Sequence, residues 1–427
     1  MAGILGIYLF DERWDVFNFG VYGLLALQHR GQEYAGLEVF GKLKRNKVAG
    51  FGLVENVLVN KVSGNVCIGV VTPSVEDTQP IELDDNTSLV IDGKITKIEG
   101  YRWDYGLSYN ENLRRAFKGD CLEEFFSKCK GGFSYIAINN ELKMVAGRGG
   151  LGIKPLSLGK MGFEGGIVAS ETCVMDIIGE RVPISPAENI EPGNMMIFTP
   201  LSAYMTQCEI CKEKAYCSFE YVYLARPDSY INDIPIYRVR RRIGEILAEE
   251  GMIDADVVIG VPETAIPFAM AFSNITGIPV EKGFEITGKR IRSALRPNQI
   301  ERLKGIQLKL NVISEVVRGK KVILIDDSVV RGNTLANIVY LMKEKGAKEI
   351  HVRIGSPAIV SHCPFGVEVP PEDELIGRHL SDEKIAEVIG ADSFKYLSIE
   401  GLIEAIGLKE EELCLGCFNG SYPEGLI

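Results

Sequence analysis

The run Lys321-Val-Ile-Leu-Ile-Asp326-Asp327-Ser328-Val-Val-Arg331-Gly332-Asn333-Thr334 decides how this chain reads. A mostly apolar strand ends in two adjacent carboxylates, and a short loop containing Gly332 follows. Leu335, Ile338, Val339 and Met342 then recur at i, i+3, i+4 and i+7, which marks an amphipathic helix starting near Thr334, with Gly346 as its stop. Open α/β sheets bind ligands beyond the carboxyl ends of their strands. Loop N–H groups and a helix N-terminus make an anion site there. Ser328, Asn333 and Thr334 add hydrogen-bonding side chains, and Arg331 adds a charge. Asp326 and Asp327 suit sugar hydroxyls or a hard Mg²⁺ ion. A ligand with a phosphate at one end and a diol plus Mg²⁺-pyrophosphate at the other satisfies both halves. The plainer alternative is a strand–turn–helix whose acids cap the helix.

The neighbouring sequence extends this pattern. Val257–Val261 and Ile350–Ile354 are also apolar runs followed by loops, as buried parallel strands of a two-sided α/β sheet would be. The first half differs. Ile4–Phe10, Cys67–Val71, Leu89–Ile91, Ser134–Ile138 and Met195–Phe198 are short apolar runs separated by Gly, Pro, Asn and Asp, so it reads as β-rich. Helices are expected near Val16–Leu27 and Asn112–Lys128. The change of character falls between residues 200 and 235, dividing the chain into 1–210 and 211–427.

A chain of 427 residues accommodates two or three domains, and 46% hydrophobic with 25% charged residues is an ordinary globular composition. With 47 basic against 58 acidic residues the net charge is −11, which opposes non-specific nucleic-acid binding. No apolar run reaches the roughly 18 residues that a membrane span needs. The apolar start lacks a basic flank and is cut short by Asp11-Glu12-Arg13, so it reads as a buried strand rather than a signal peptide, and the expected compartment is the cytoplasm. Ten cysteines in such a chain favour metal or cluster ligation over disulfides for the grouped ones. Cys67, Cys121, Cys129 and Cys173 stand singly and are expected to be small buried residues. Cys208-Glu-Ile-Cys211 and Cys414-Leu-Gly-Cys417 are both C-x-x-C pairs, and spacing alone allows them to form a Cys₄ zinc site. His29, His351, His362 and His379 are scattered. Pro370–Glu374 and Lys409–Glu412 read as solvated faces.

The Asp326–Thr334 loop resembles the phosphoribosyl pyrophosphate motif of type I phosphoribosyltransferases. Other tracts are similar to the amidophosphoribosyltransferase family, glutamine-dependent enzymes that open purine synthesis. These are Leu27-Gln-His-Arg-Gly-Gln-Glu33, Phe219-Glu-Tyr221, Arg226-Pro-Asp-Ser229, Val258-Ile-Gly-Val-Pro262, Lys309-Leu310, Gly355-Ser-Pro357 and Ile389-Gly-Ala-Asp-Ser393. The resemblance runs from residue 2 to 425. It implies an α+β N-terminal nucleophile hydrolase-like (αββα) domain followed by an α/β type I phosphoribosyltransferase domain. It implies phosphoribosyl pyrophosphate as substrate and Mg²⁺ held by Thr264, Asp326 and Asp327. Asp326, Asp327, Arg292 and Lys309 take catalytic positions, and Ser328, Arg331, Gly332, Asn333, Thr334 and Thr264 bind substrate. In the iron–sulfur subgroup four cysteines bind a [4Fe–4S] cluster, and their positions match Cys217, Cys363, Cys414 and Cys417; structural Zn²⁺ is the alternative. Family members are dimers or tetramers, so a homo-oligomer is implied, or a hetero-oligomer with an active paralogue.

The chain departs from the family where glutamine is hydrolysed. The nucleophilic cysteine position holds Ala2. The tract whose arginine holds the glutamine carboxylate reads Val70-Val-Thr72-Pro-Ser-Val75. The oxyanion tract reads Asp92-Gly93-Lys94-Ile-Thr-Lys97, and a further tract reads Arg148-Gly149-Gly-Leu-Gly152-Ile-Lys154-Pro-Leu156. A methyl group cannot attack an amide, and a carboxylate is the wrong sign for an oxyanion hole. No glutaminase activity is expected. In the transferase half, Glu263-Thr264-Ala265 replaces Asp-Ser-small in the pyrophosphate loop. In the closing loop Arg292, Pro297, Gln299, Arg302 and Lys309 match, but Ile286-Thr287-Gly288-Lys289 does not. Three readings follow: a transferase using ammonia or another amine, a non-catalytic regulatory paralogue that binds the same ligands, and a structural partner with a vestigial pocket.

Overall fold

The computed structural model describes residues 1–427 except 42–43, 77, 120, 181–182, 208–212, 287–309 and 424–427. Arg292, Pro297, Gln299, Arg302, Lys309, Thr287–Lys289, Cys208 and Cys211 lie outside the described residues.

Period-2 alternation builds the first half. In the strand Gly3–Leu9, Ile4 and Tyr8 face one apolar cluster while Leu5, Ile7 and Leu9 face another. That strand sits inside a seven-stranded sheet ordered Glu188–Asn189, Ser157–Lys160, Gly165–Ala169, Gly3–Leu9, Val66–Thr72, Tyr34–Gly41, Lys44–Phe51. A six-stranded sheet stacks on it, ordered Ser202–Gln207, Asn194–Thr199, Met144–Arg148, Cys129–Asn139, Thr87–Ile98, Ile81–Glu82. Ile4, Tyr8, Ile68, Val70, Val90, Ile136 and Ala146 fill the space between the sheets. The helices Phe17–Ala26 and Cys173–Gly179 cover the outer face of the first sheet. Two more, Tyr109–Ala116 and Leu122–Ser127, cover the outer face of the second. The layering is αββα, as expected.

The single helix expected over Asn112–Lys128 is two helices. Ser108 and Glu111 form a capping box at the first, and the chain turns at Gly119, where φ is +75°. Leu113, Phe117, Leu122, Phe125 and Phe126 are all buried across the break, so the apolar pattern outlasts the helix. Cys67, Cys129 and Cys173 are buried as expected, but Cys121 is exposed and donates to Glu123 at 2.8 Å.

The second half carries a four-stranded parallel sheet ordered Val257–Gly260, Lys321–Asp326, Glu349–Ile354, Ser393–Tyr396. Val258, Ile323 and Ile325 pack against the helices Ile236–Gly251, Ile266–Thr276 and Ile399–Ile406. On the other face Ile259, Leu324 and Val352 meet the helices Asn333–Glu344 and Asp382–Ile389. Leu335, Ile338, Val339 and Met342 are all buried, which is the stripe the sequence predicts. No helix among the described residues is long and apolar enough to cross a membrane.

The helices Ile236–Gly251 and Ile266–Thr276 touch at Gly244, where an added Cβ would stand 2.1 Å from the Phe268 carbonyl oxygen. Gly244→Ala must push these helices apart, costing about 1–3 kcal/mol. Urea unfolding should show a lower midpoint, and an unchanged midpoint would refute this packing.

Candidate functional site

Two loops leave the carboxyl ends of adjacent parallel strands, since Gly260 pairs with Ile325 in the ladder. The first, Val261–Ala265, contains a cis Pro262–Glu263 peptide and is tied back by the Val261 N–H donating to the Ile325 carbonyl at 2.8 Å. The second, Asp327–Gly332, ends with Gly332 at φ +74°, a left-handed turn that admits the chain into the helix Asn333–Glu344. Arg331, Asn333 and Thr334 are exposed, and Asp326, Asp327 and Ser328 are half-buried, so the loop faces outward.

The two aspartates crowd each other. Burial, then the neighbouring charge of Asp327, push the Asp326 carboxyl well above the usual range. Burial pushes Asp327 up to about 6. Hydrogen bonds from the hydroxyls of Ser328, 2.6 Å away, and Thr264, together with the Arg240 charge, hold it from rising further. Thr264 and Asp327 therefore meet, as the sequence predicts. Arg331 does not stand free: it forms an ion pair with Glu374. Glu372 pairs with Arg378 at 3.0 Å. The acidic stretch Pro370–Glu374 is largely exposed, as expected, and forms surface ion pairs beside the loop, where the Ile376 N–H donates to the Val330 carbonyl at 3.0 Å.

A second feature gathers the cysteines. The short parallel strands Tyr216–Cys217 and Leu413–Cys414 pair in register, setting Cys217 beside Cys414. The Val360 N–H donates to the Cys417 carbonyl at 2.8 Å, which brings in the segment carrying Cys363. All four cysteines line one cavity, with Ile153, Lys154, Phe219 and Phe365 among its walls. Burial raises the thiol of Cys414 to about 11, and it raises those of Cys217 and Cys417 as well.

The third feature is a buried ion cluster around Arg30 that includes Ala2 and Asp92. Arg30 is fully buried and its guanidinium is saturated. It donates from Nε to the Ala2 carbonyl at 2.9 Å, from Nη1 to Glu171 at 2.9 Å, from Nη2 to Asp92 at 2.9 Å, and to both oxygens of Glu220 at 2.9 and 3.0 Å. Asp92 accepts the Ala2 backbone N–H at 2.7 Å. Burial alone would raise the Asp92 pKa, but Lys154, Arg30 and the chain's N-terminus outweigh it and the carboxyl is lowered. Glu171 is likewise lowered, because His29 and Arg30 outweigh burial; His29 Nε2 lies 2.6 Å away. Glu171 also accepts from the Arg226 N–H and the Ser229 hydroxyl, each at 2.8 Å. Thr72 spends its hydroxyl on the Ser74 carbonyl, and Arg148 spends its guanidinium on the carbonyls of Lys154, Gly152 and Ile190.

This ion knot was invisible as a unit in the sequence. Arg30, Glu220 and Lys154 fall in tracts already quoted, while nothing singled out Glu171. A charge set in an apolar stretch, as Glu171 is between Ala169-Ser170 and Thr172-Cys173-Val174, was the available signal.

Two outcomes follow. Arg30→Met leaves three carboxylates buried without their cation, so the unfolding free energy should fall by about 3–5 kcal/mol in a denaturant titration. Loss of under 1 kcal/mol would contradict the knot. Asp327 acts in the opposite direction. Its folded pKa lies above the unfolded value of about 3.9, so the wild type loses stability as pH rises from 4 through 6. Asp327→Asn should be near neutral at pH 4 and raise the melting temperature of the ligand-free protein at pH 8. A gain at low pH alone would reverse the assignment.

Comparison with known proteins follows the same division. A family model for the phosphoribosyl transferase domain matches residues 231–354. The amidophosphoribosyltransferase of Methanocaldococcus jannaschii is 36% identical, covering 99% of this chain and 98% of its own. That of Bacillus subtilis is 34% identical, covering 99% and 94%. Two solved structures superpose on the whole chain at 32% identity. One is that of the allosteric regulatory enzyme of purine biosynthesis, with a TM-score of 0.87 and 97% of its chain covered. The other is the Bacillus subtilis glutamine phosphoribosylpyrophosphate amidotransferase complexed with ADP and GMP, at 0.86 and 99%. On full-length identity and superposition together, this chain belongs to the amidophosphoribosyltransferase family.

Proposed function

We propose that this chain is a phosphoribosyl pyrophosphate-dependent transferase of purine nucleotide biosynthesis that delivers the phosphoribosyl group to ammonia or another amine and does not hydrolyse glutamine. One observation carries the reading: two loops from adjacent strand ends bring Thr264 against Asp327 at an outward-facing edge. The N–H groups of Ser328–Gly332 and the N-terminus of the following helix bind the 5-phosphate. Asp326 and Asp327 accept from the ribose hydroxyls and orient the sugar. Among the described residues no three His, Cys, Asp or Glu side chains close on one metal ion. Mg²⁺ is held by one or two carboxylates together with substrate phosphates. Asp326, Asp327 and Thr264 would hold it, and when bound it neutralises the leaving pyrophosphate. Arg292 and Lys309 belong to the same proposal.

Residue 2 offers no thiol, and ionised Asp92 stands where an amide would stabilise an oxyanion. Residues 1–210 then serve as scaffold and 211–427 as the transferase.

Cys217, Cys363, Cys414 and Cys417 would hold a [4Fe–4S] cluster. A single zinc draws its thiolates to about 2.3 Å. Four cysteines around one cavity supply the thiolates such a cluster takes, and a structural Zn²⁺ is the alternative. The cluster's role is structural, tying the C-terminus to Cys217. Cytoplasmic placement and assembly as a homo-oligomer, or with an active paralogue, complete the reading. The regulatory reading, without catalysis, draws its support from Glu263, longer than the aspartate it replaces.

Cluster-loaded protein given phosphoribosyl pyrophosphate should release pyrophosphate with ammonium and gain nothing from glutamine. Asp326→Asn with Asp327→Asn should lower the rate by on the order of a hundredfold or more. Binding with no release for any amine would leave only the regulatory reading, and glutamate formed from glutamine would overturn the loss of the glutaminase.

A further inference from the structure

Lys154 is a buried lysine that the transfer reaction does not use. It follows Ile153 in the loop after the strand Met144–Arg148. Its side chain is fully buried, and its Nζ has no hydrogen-bond partner. Its backbone carbonyl is held by the Arg148 Nε at 2.7 Å and the Ser134 hydroxyl at 2.9 Å, so the residue is fixed in place. The nearest carboxylate, Glu220, is 3.7 Å from Nζ, an ion pair without a hydrogen bond. Lys154 also lines the cavity of Cys217, Cys363, Cys414 and Cys417.

A buried ammonium with unused donors is costly unless an anion faces it. Glu220 does not meet that demand alone, because Arg30 already takes both of its oxygens. The other neighbours are Asp92, whose charge acts on the ammonium without a hydrogen bond to Nζ, and the sulfurs of the cavity. A [4Fe–4S] cluster on four thiolates carries net negative charge, and nearby charge is one of the levers that sets its potential.

We propose that Lys154 is the cluster's countercharge and positioning residue: its ammonium stands between the four-cysteine cavity and Glu220, coupling the cluster to the Arg30 ion knot. The inference rests on the cluster reading above. Glu220 is then the opposing charge, which Lys154 holds off the sulfurs. This gives the remnant of the hydrolase domain a task, since it supplies the cation that lets an anionic cluster sit in an apolar wall. The association of Lys154 with Asp92, whose charge also raises the lysine's pKa, completes the chain from the cavity to Ala2.

The test is the reduction potential of the reconstituted full-length protein, measured by protein-film voltammetry after iron and sulfide analysis. Lys154→Gln should shift the potential negative, because the more negatively charged reduced state loses its cation. Lys154→Arg should restore it towards the wild-type value. Glu220→Gln should shift it positive, which provides the reading if Lys154→Gln does not fold. A full complement of iron with unmoved potentials in the folded variants overturns this inference alone. Absence of iron and sulfide from the wild type overturns the cluster reading and this inference with it.

Discussion

A guanidinium with no access to water must be answered by anions, and Arg30 is answered by three carboxylates from three distant parts of the chain. Asp92 comes from the six-stranded sheet, Glu171 follows a strand of the seven-stranded sheet, and Glu220 lies in the segment leading to the second half. Each oxygen that meets Arg30 fixes the position of its own backbone. Once burial is complete no partner can be removed without stranding a charge. The knot therefore sets the start of the first strand through Ala2 and joins the β-sandwich to the segment Glu220–Ser229 through Glu171 and Glu220. These interactions define the relation of the two halves.

The transferase half obeys a different constraint. Parallel strands deliver their loops to one edge, and the crowding of Asp326 and Asp327 there is a cost that the free protein bears. Groups held in an unfavourable protonation balance mark a site built for something else to complete. Arg331 in the same loop pairs with Glu374 at the surface.

Local patterns read well and distant partnerships did not. The strand Lys321–Asp326 and the helix Asn333–Glu344 follow from an apolar run, two acids, one glycine and a 3.6-residue stripe, all within two dozen positions. The alternation of Ile4 and Tyr8 against Leu5 and Ile7 was equally local. Ala2 and Asp92 stood out through the family resemblance, and so did the four cysteines that line one cavity. Glu171 lies 141 positions from Arg30, and no periodicity links them. The break at Gly119 was hidden because Phe117 and Leu122 stay buried on both sides of it. Cys121 was misread for a related reason: a lone residue beside that break takes its exposure from the turn. The acids of Pro370–Glu374 are exposed as read, but their pairs with Arg331 and Arg378 were not legible because no local pattern links them.

The central claim is that the sugar-phosphate site persists while the glutamine site has been filled by ions. Isothermal titration calorimetry of the intact protein measures both halves of it on one sample. Phosphoribosyl pyrophosphate with Mg²⁺ should give a saturable heat, and L-glutamine should give only heat of dilution. Saturable binding of glutamine, or none of phosphoribosyl pyrophosphate, would contradict the account.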